Sequence, residues 1–168
     1  MTKNLFKAAL AATIVTGFAA PAMAADTEPF TATAIIVKPI ELNKLTDLDF
    51  GTITMGSGLV SSTVVVDQAG TSPTCGANLS CTAPTAGSFT ITGGVGLQDV
   101  EITTTAPATL INTADPLESV PFTIDAPGIV TLLANGTAAF GIGGTITVSA
   151  STVDGTYDAT FNVTAAYD

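Results

Sequence analysis

The chain has 168 residues, 46% of them hydrophobic, and carries fourteen acidic side chains against four basic ones, with no histidine or tryptophan. Binding to phosphate backbones depends on Lys and Arg, so this balance excludes nucleic acid as a partner and disfavours anionic membrane surfaces. The acidity is typical of a protein that its net charge keeps soluble outside the cell.

The first 24 residues have the pattern of a secretory signal peptide. Lys3 and Lys7 precede a run of small and aliphatic residues over 8–20, and Ala22-Met23-Ala24 supplies the small residues of a cleavage site. The apolar run is too short to cross a bilayer stably. We therefore expect a single mature domain over 25–168 with no membrane span after cleavage. The predicted location is the surface of a Gram-negative bacterium, or the medium outside it, reached through the periplasm.

The mature chain begins with an alternating segment. Phe30, Ala32, Ala34 and Ile36 occupy every second position, and such alternation places side chains on one face of a strand. We therefore predict a first strand from Phe30 to Val37, which Pro39 interrupts because proline cannot donate to a strand ladder.

Short β-branched runs follow, separated by Gly, Pro, Asn, Asp and Ser. The predicted strands lie over 40–43, 48–54, 62–67, 87–92, 100–104, 110–111, 120–125, 129–134 and 140–149. Asn135-Gly136 and Asp154-Gly155 favour the primed turns that match strand twist. No stretch of the mature chain has a helical period. The pattern predicts an all-β, Ig-like antiparallel β-sandwich of about eight to ten short strands, with a closed β-barrel as the alternative.

The most regular strand pattern lies at the end, from Gly155 to Tyr167. Its apolar face reads Tyr157, Ala159, Phe161, Val163, Ala165 and Tyr167, and its other face is mostly Thr, Asp and Asn. This is the pattern of one continuous strand with one face in a core. Only Asp168 follows, so we expect another segment to complete the hydrogen-bonding edge of this strand, with Phe30 to Val37 as the candidate.

The two cysteines, Cys75 and Cys81, are expected to form a disulfide. A signal peptide implies an oxidising compartment. A metal site would need further ligands, and a redox pair usually has closer spacing and a basic neighbour; neither is present. Closing so small a loop stabilises by about 2–3 kcal/mol, so we expect the bond to pin a surface loop.

Nothing in the sequence indicates an enzyme or a bound cofactor. Histidine, the most common general base, is absent. The close carboxylate pairs, such as Asp47 with Asp49 and Asp99 with Glu101, alternate with apolar residues, so we expect them on the solvent-exposed faces of strands. Asp47 and Asp49 are the best placed for calcium, but the spacing of a calcium-binding loop is missing. The glycine-rich stretches precede strand-like sequence rather than the helix that a phosphate loop requires.

Two motifs carry a resemblance to known proteins: Leu48-Asp-Phe-Gly-Thr-Ile53 and Gly155 to Tyr167. Together they resemble a family of secreted bacterial β-domains of unknown function. More distantly, they are similar to spore coat protein U and to archaic chaperone–usher pilin subunits. That resemblance implies an Ig-like sandwich lacking one strand, a periplasmic chaperone, an outer-membrane usher and a fibre of identical or related subunits. It also implies structural roles for Phe50 in the core, for Gly51 where the backbone crowds, and for Tyr157 and Phe161 packing inward.

Two functional hypotheses follow. The first is a fimbrial or surface-coat subunit that assembles by strand complementation through its N-terminal strand, with Phe30, Ala32, Ala34 and Ile36 as the inward residues. The second is a self-contained secreted binding domain, adhesin-like, that uses loops over 69–86 and 106–118.

Overall fold

Thirteen strands, all paired antiparallel, form the fold in the computed structural model, which describes residues 26–105 and 107–168. No helix occurs within those two ranges. The prediction of an all-β, antiparallel β-sandwich is confirmed. The predicted leader lies outside the described residues. The strands are Glu41–Thr46 (β1), Thr52–Met55 (β2), Ser61–Val66 (β3), Thr74–Cys75 (β4), Leu79–Thr82 (β5), Gly87–Thr92 (β6), Asp99–Thr105 (β7), Thr109–Asn112 (β8), Ser119–Asp125 (β9), Ile129–Thr131 (β10), Ala138–Ser149 (β11), Tyr157–Asp158 (β12) and Asn162–Tyr167 (β13).

Three hydrogen-bonded sheets make up the fold. The largest runs in the order β1-β6-β11-β9-β8-β12, with β3 paired to β11 and β4 paired to β3. The second has the order β10-β7-β13, and the third joins β2 to β5. Alternation produces the buried faces. In β9, for example, Val120 and Phe122 are buried while Pro121 and Thr123 are exposed.

The core consists of two apolar clusters that share the long strand β11. One cluster contains Phe50, Val64, Val66, Val120, Phe122, Ile146 and Val148; the other contains Ile91, Val100, Ile102, Leu132 and Ala138. Strand β11 pairs with β6 along its first half, and with β9 and β3 along its second. Near this change of partner a Cβ on Gly141 would overlap the backbone oxygen of Gln68, so glycine permits the close approach.

The N-terminal segment differs from the expectation. Residues 26–40 form no strand, although Phe30 to Val37 alternates as predicted. Alternation makes a strand only where a neighbouring edge is available to pair with it, and no described strand pairs with this segment. Residues Ile35–Asp168 form one compact unit, and the described part of the preceding unit, residues 26–34, is irregular and exposed.

The last strand also differs from the expectation: the prediction of one continuous strand over 155–167 is wrong. It is divided into β12, which pairs with β8 in the large sheet, and β13, which pairs with β7 in the second sheet. Residues 159–161 carry the chain from one sheet to the other. Both halves keep the same alternation, so Tyr157 packs on the first cluster and Tyr167 on the second.

The turn at Asn135-Gly136 gives a test of the fold. Gly136 has φ +77°, and a Cβ there would overlap the backbone oxygen of Gly94. We expect Gly136→Ala to lower the free energy of unfolding by about 2 kcal/mol in urea titrations. The alanine would have to adopt a left-handed backbone conformation, and its Cβ would clash with the backbone of Gly94. Gly128→Ala is the matched control, since nothing lies within 4 Å of its Cβ position, and it should change stability by less than about 1 kcal/mol. Equal losses would contradict this account of the turn.

Candidate functional site

A cleft with an apolar floor and polar rim opens beside the last two strands. It has a volume of about 560 Å³ and lies between residues 48–55 on one side and 152–161 on the other. Val120, Phe122, Ile146 and Val148, all buried members of the first core cluster, form its floor. The first cluster therefore lies directly beneath this cleft, although each of these four side chains is at most 5% exposed.

Aromatic rings shape the floor and walls of the cleft. Phe50 meets Phe122 edge to face with ring centroids 6.0 Å apart, and Phe161 lies 6.1 Å from Phe122. Such contacts add to the stabilisation that burial of the rings provides. Phe161 is only partly buried because it stands at the crossing between the sheets, where the cleft opens.

The turn after Phe50 depends on glycine. Gly51 has φ +70°, and a Cβ at this position would overlap the backbone oxygen of Thr82. Its N–H donates to the Asp49 carboxylate at 2.8 Å. Gly51 thus lets the chain turn tightly against β5 and leaves Phe50 pointing into the core.

A second cleft continues the first along the same side of the domain. It has a volume of about 370 Å³ and shares Leu48, Ala159 and Phe161 with the first. Its other lining residues come from the end of β1, from β6 and β11, and from residues 160–163; among them are Lys44, Phe89, Ile142 and Val163. We call the two together the lateral groove.

Unpaired strand edges border the lateral groove. Within the described ranges, β13 pairs only with β7, and β1 pairs only with β6. The two strands run in opposite directions beside the groove. At one end the Tyr167 hydroxyl donates to the Lys38 carbonyl at 2.9 Å, and at the other Lys44 and Asn162 line the same cleft. The groove thus combines an apolar floor with two strand edges that have no partner strand among the described residues.

Charge is distributed unevenly along the lateral groove. Asp49, Asp154 and Asp158, all exposed, line the first cleft. Lys44 and Asp47 both line the second and form an exposed ion pair at 2.6 Å. An exposed pair of this kind is worth less than about 1 kcal/mol. One end of the groove is therefore acidic, and the other contains a lysine paired with an aspartate.

The disulfide predicted from the sequence is present and supports one wall of the groove. Cys75 in β4 bonds to Cys81 in β5, with Cα atoms 5.9 Å apart. Strand β4 pairs with β3 in the large sheet, while β5 pairs with β2, which lines the first cleft. Both cysteines pack against the first core cluster. The bond does more than pin a surface loop, because it joins the small β2–β5 sheet to the large sheet.

The predicted assembly residues are exposed. Phe30 and Ile36 are 94% and 92% accessible, and Ile35 is 87% accessible. Ala32 and Ala34 are exposed as well. Large apolar side chains with this accessibility, repeated over a short segment, are typical of an interaction site.

Sequence reasoning missed the floor of the groove. The alternation of Val120 and Phe122 predicted their strand, and Ile146 and Val148 also lay in a predicted strand, but no local pattern shows that the buried face of a strand lies at the bottom of a cleft. Among the described residues, no three His, Cys, Asp or Glu side chains are arranged to hold a metal ion. No helix in the described ranges is long and apolar enough to span a membrane.

An all-β sandwich with a disulfide-braced lateral groove is the class that fold and site define. The chain matches the family described as Domain of unknown function (DUF4402) over residues 40–167, and it belongs to that family. The match begins just before β1 and ends with β13, so it covers every strand and the whole groove. No curated protein matches the chain. No solved structure matches it either.

Removing the disulfide should weaken the fold. We expect the double variant Cys75→Ser/Cys81→Ser to lose about 2 kcal/mol of unfolding free energy in urea titrations, the loop-closure value for so short a loop. Addition of reductant should bring the wild type to the same midpoint and leave the double variant unchanged. A double variant as stable as the oxidised wild type would contradict a bracing role.

Proposed function

We propose that the protein is a secreted, non-enzymatic structural subunit, pilin-like or surface-coat-like, which assembles by strand complementation through its N-terminal segment. The observation that carries the proposal is the lateral groove, whose floor is apolar and whose second cleft lies between β1 and β13, two strands that each have a single partner strand among the described residues. An extended chain could pair with such a strand edge and cover the apolar floor at the same time. Its backbone would complete the strand ladder, and every second side chain would fill the groove.

The N-terminal segment has the composition that this role requires. Phe30 to Val37 contains no charged residue, and its even-numbered positions from Phe30 to Ile36 are all apolar. As a strand these eight residues would span about 26 Å. The absence of charge and the alternating pattern therefore favour this segment as the donor.

Secretion and partners belong to the same proposal. The predicted signal peptide would deliver the chain to the periplasm, where an unfilled apolar groove needs protection until a neighbour fills it. A periplasmic chaperone and an outer-membrane usher would supply this protection and the assembly route, and the product would be a polymer of this subunit or of related ones. The sequence contains no histidine, so an enzymatic alternative would lack the most common general base.

Two matched variants distinguish strand insertion from nonspecific hydrophobic association. In an inserted strand Ile36 faces the apolar floor and Ile35 faces outward. Ile36→Asp should therefore weaken self-association at least about 100-fold in analytical ultracentrifugation, because it would bury a carboxylate. Ile35→Asp removes a side chain of the same size and exposure and should retain assembly. Equal loss in both variants would favour nonspecific association, and a wild type that stays monomeric at high concentration would refute the proposed function.

A peptide should replace the missing strand. We expect a chain lacking residues 26–37 to remain monomeric, and a synthetic peptide of residues 28–38 to raise its Tm. At a peptide concentration 100 times Kd the stabilisation should be about 2.7 kcal/mol. A peptide with Phe30 and Ile36 both replaced by Asp is the control and should have no effect. No difference between the two peptides would contradict complementation.

A further inference from the structure

Strand β10 forms the edge of the second sheet on the side away from β13. It pairs with β7 and has no second partner strand among the described residues. Leu132, directly after β10, donates its N–H to the Gln98 carbonyl at 2.8 Å. Because backbone groups alternate in direction along an antiparallel strand, Ile129 and Thr131 direct their N–H and C=O groups away from β7. These groups are therefore placed to pair with an added strand.

The exposed face of this edge combines apolar and acidic side chains. Ile129 and Leu133 are 57% and 63% exposed. On the neighbouring strand, Glu101 lies opposite Ile129 and Asp99 lies opposite Thr131. The Thr131 hydroxyl donates to the Asp99 carboxylate at 2.6 Å, and both acidic residues are exposed. A mainly apolar row of side chains at the edge thus runs beside two carboxylates.

Leu97 occupies a strained backbone position at the end of this face. It has φ +62°, and its N–H donates to the Leu132 carbonyl at 3.1 Å, so Leu97 and Gln98 together oppose one residue in a β-bulge. Glycine is the usual residue in such a left-handed bulge position, because L side chains are strained there. The Leu97 side chain is nevertheless 71% exposed and gains little from packing. A large apolar side chain at such a position points to a contact outside the domain.

The charges around this edge favour a basic partner over a second copy of the chain. Asp168, whose N–H donates to the Asp99 carbonyl at 3.3 Å, adds a third exposed acidic residue to Asp99 and Glu101. Residues 25–168 carry fourteen acidic side chains and two basic ones. A second copy would therefore bring like charge to this edge, whereas a basic segment is attracted to it.

We propose that the free edge of β10 binds an extended segment of another protein in which basic and apolar side chains alternate. Such a segment pairs as an added strand with Ile129 and Thr131 and presents its basic side chains on the exposed face. The aliphatic stems of these Lys or Arg side chains cover Ile129, Leu133 and Leu97. Their charged ends extend toward Glu101, whose strand lies two strand spacings, or about 10 Å, from the added one. This site is independent of the proposed function, because β10 and β13 are opposite edges of the second sheet.

A designed peptide tests this recognition directly. The full chain, expressed with its leader for export, is titrated calorimetrically with a seven-residue peptide in which lysine and valine alternate. One control peptide has glutamate in place of lysine, and another has the same composition with all lysines in one block. We expect the alternating peptide to bind at least about tenfold more tightly than either control. Equal binding of the block peptide would show attraction by charge alone and would overturn the proposal, as would absence of binding by the alternating peptide.

Two variants at one position test pairing with the edge. Thr131→Pro removes the N–H that points away from β7, whereas Thr131→Ala removes the same hydroxyl and keeps that N–H. We expect the proline variant to bind the alternating peptide at least about tenfold more weakly than the alanine variant, because proline cannot donate to an added strand. Equal binding by the two variants would overturn edge pairing. If the wild type self-associates, and the proline variant does not, without any peptide binding, the edge belongs to a second copy and the proposed partner is wrong.

Two identical substitutions test the charge contact without changing the backbone. Glu101→Gln should weaken peptide binding about fivefold at low salt, with a smaller effect as salt screens the charges. Glu118→Gln makes the same change in net charge outside this face, in the loop between β8 and β9, and should leave the affinity within about twofold. Equal effects of the two substitutions would overturn a local contact with Glu101.

Leu97→Asn separates a binding role from a structural one. Asparagine tolerates the left-handed conformation, so the variant should keep or raise the Tm of the domain and bind the peptide about threefold more weakly. A lower Tm with unchanged binding would overturn the role of Leu97. Hydrogen exchange gives the location: the amides of Ile129 and Thr131 should gain protection in the complex. Protection confined to residues 162–167 would place the peptide in the lateral groove and overturn the site.

Discussion

The constraint on which this structure depends is the change of sheet at residues 159–161. Strand β12 completes one edge of the large sheet, and β13 completes one edge of the second sheet. A single chain segment cannot cover both apolar clusters along its full length while it crosses between them. Val163, Ala165 and Tyr167 pack against the second cluster, whereas the first cluster forms the floor of a cleft beside Phe161. The lateral groove is the direct consequence.

The other features of the groove follow from this opening. The short β2–β5 sheet forms the wall of the groove opposite residues 152–161. Two strands of four residues each are too small to be stable alone. The Cys75–Cys81 bond and the tight turn at Gly51 fix this small sheet to the rest of the domain. The disulfide and the Phe50-Gly51 motif, which lie 24 or more residues apart in the chain, therefore act on the same wall.

The sequence predicted the fold class because alternation and turn chemistry are local properties. Val120 and Phe122, or Val163 and Ala165, show their buried face within a few residues. The choice of partner strand is not local, which is why the division of the last strand was missed: β12 and β13 keep one continuous alternation although they belong to different sheets. The same limit applies to Phe30 to Val37, whose pattern describes a strand but carries no information about which edge pairs with it. The floor of the cleft was missed for a related reason: the alternation within a strand shows which face is buried, but it does not show which other segment of the chain covers that face.

The proposed self-association of so acidic a chain would work against its own net charge. Residues 25–168 carry fourteen acidic side chains and only Lys38 and Lys44 as basic ones, so two copies repel each other at long range. A contact that overcomes this repulsion would have to be apolar and uncharged, which describes both Phe30 to Val37 and the floor formed by Phe122 and its neighbours. Lys38 adds little binding energy in such an interface, because exposed ion pairs contribute little. The proposed interaction would therefore draw its strength from the apolar residues and not from Lys38.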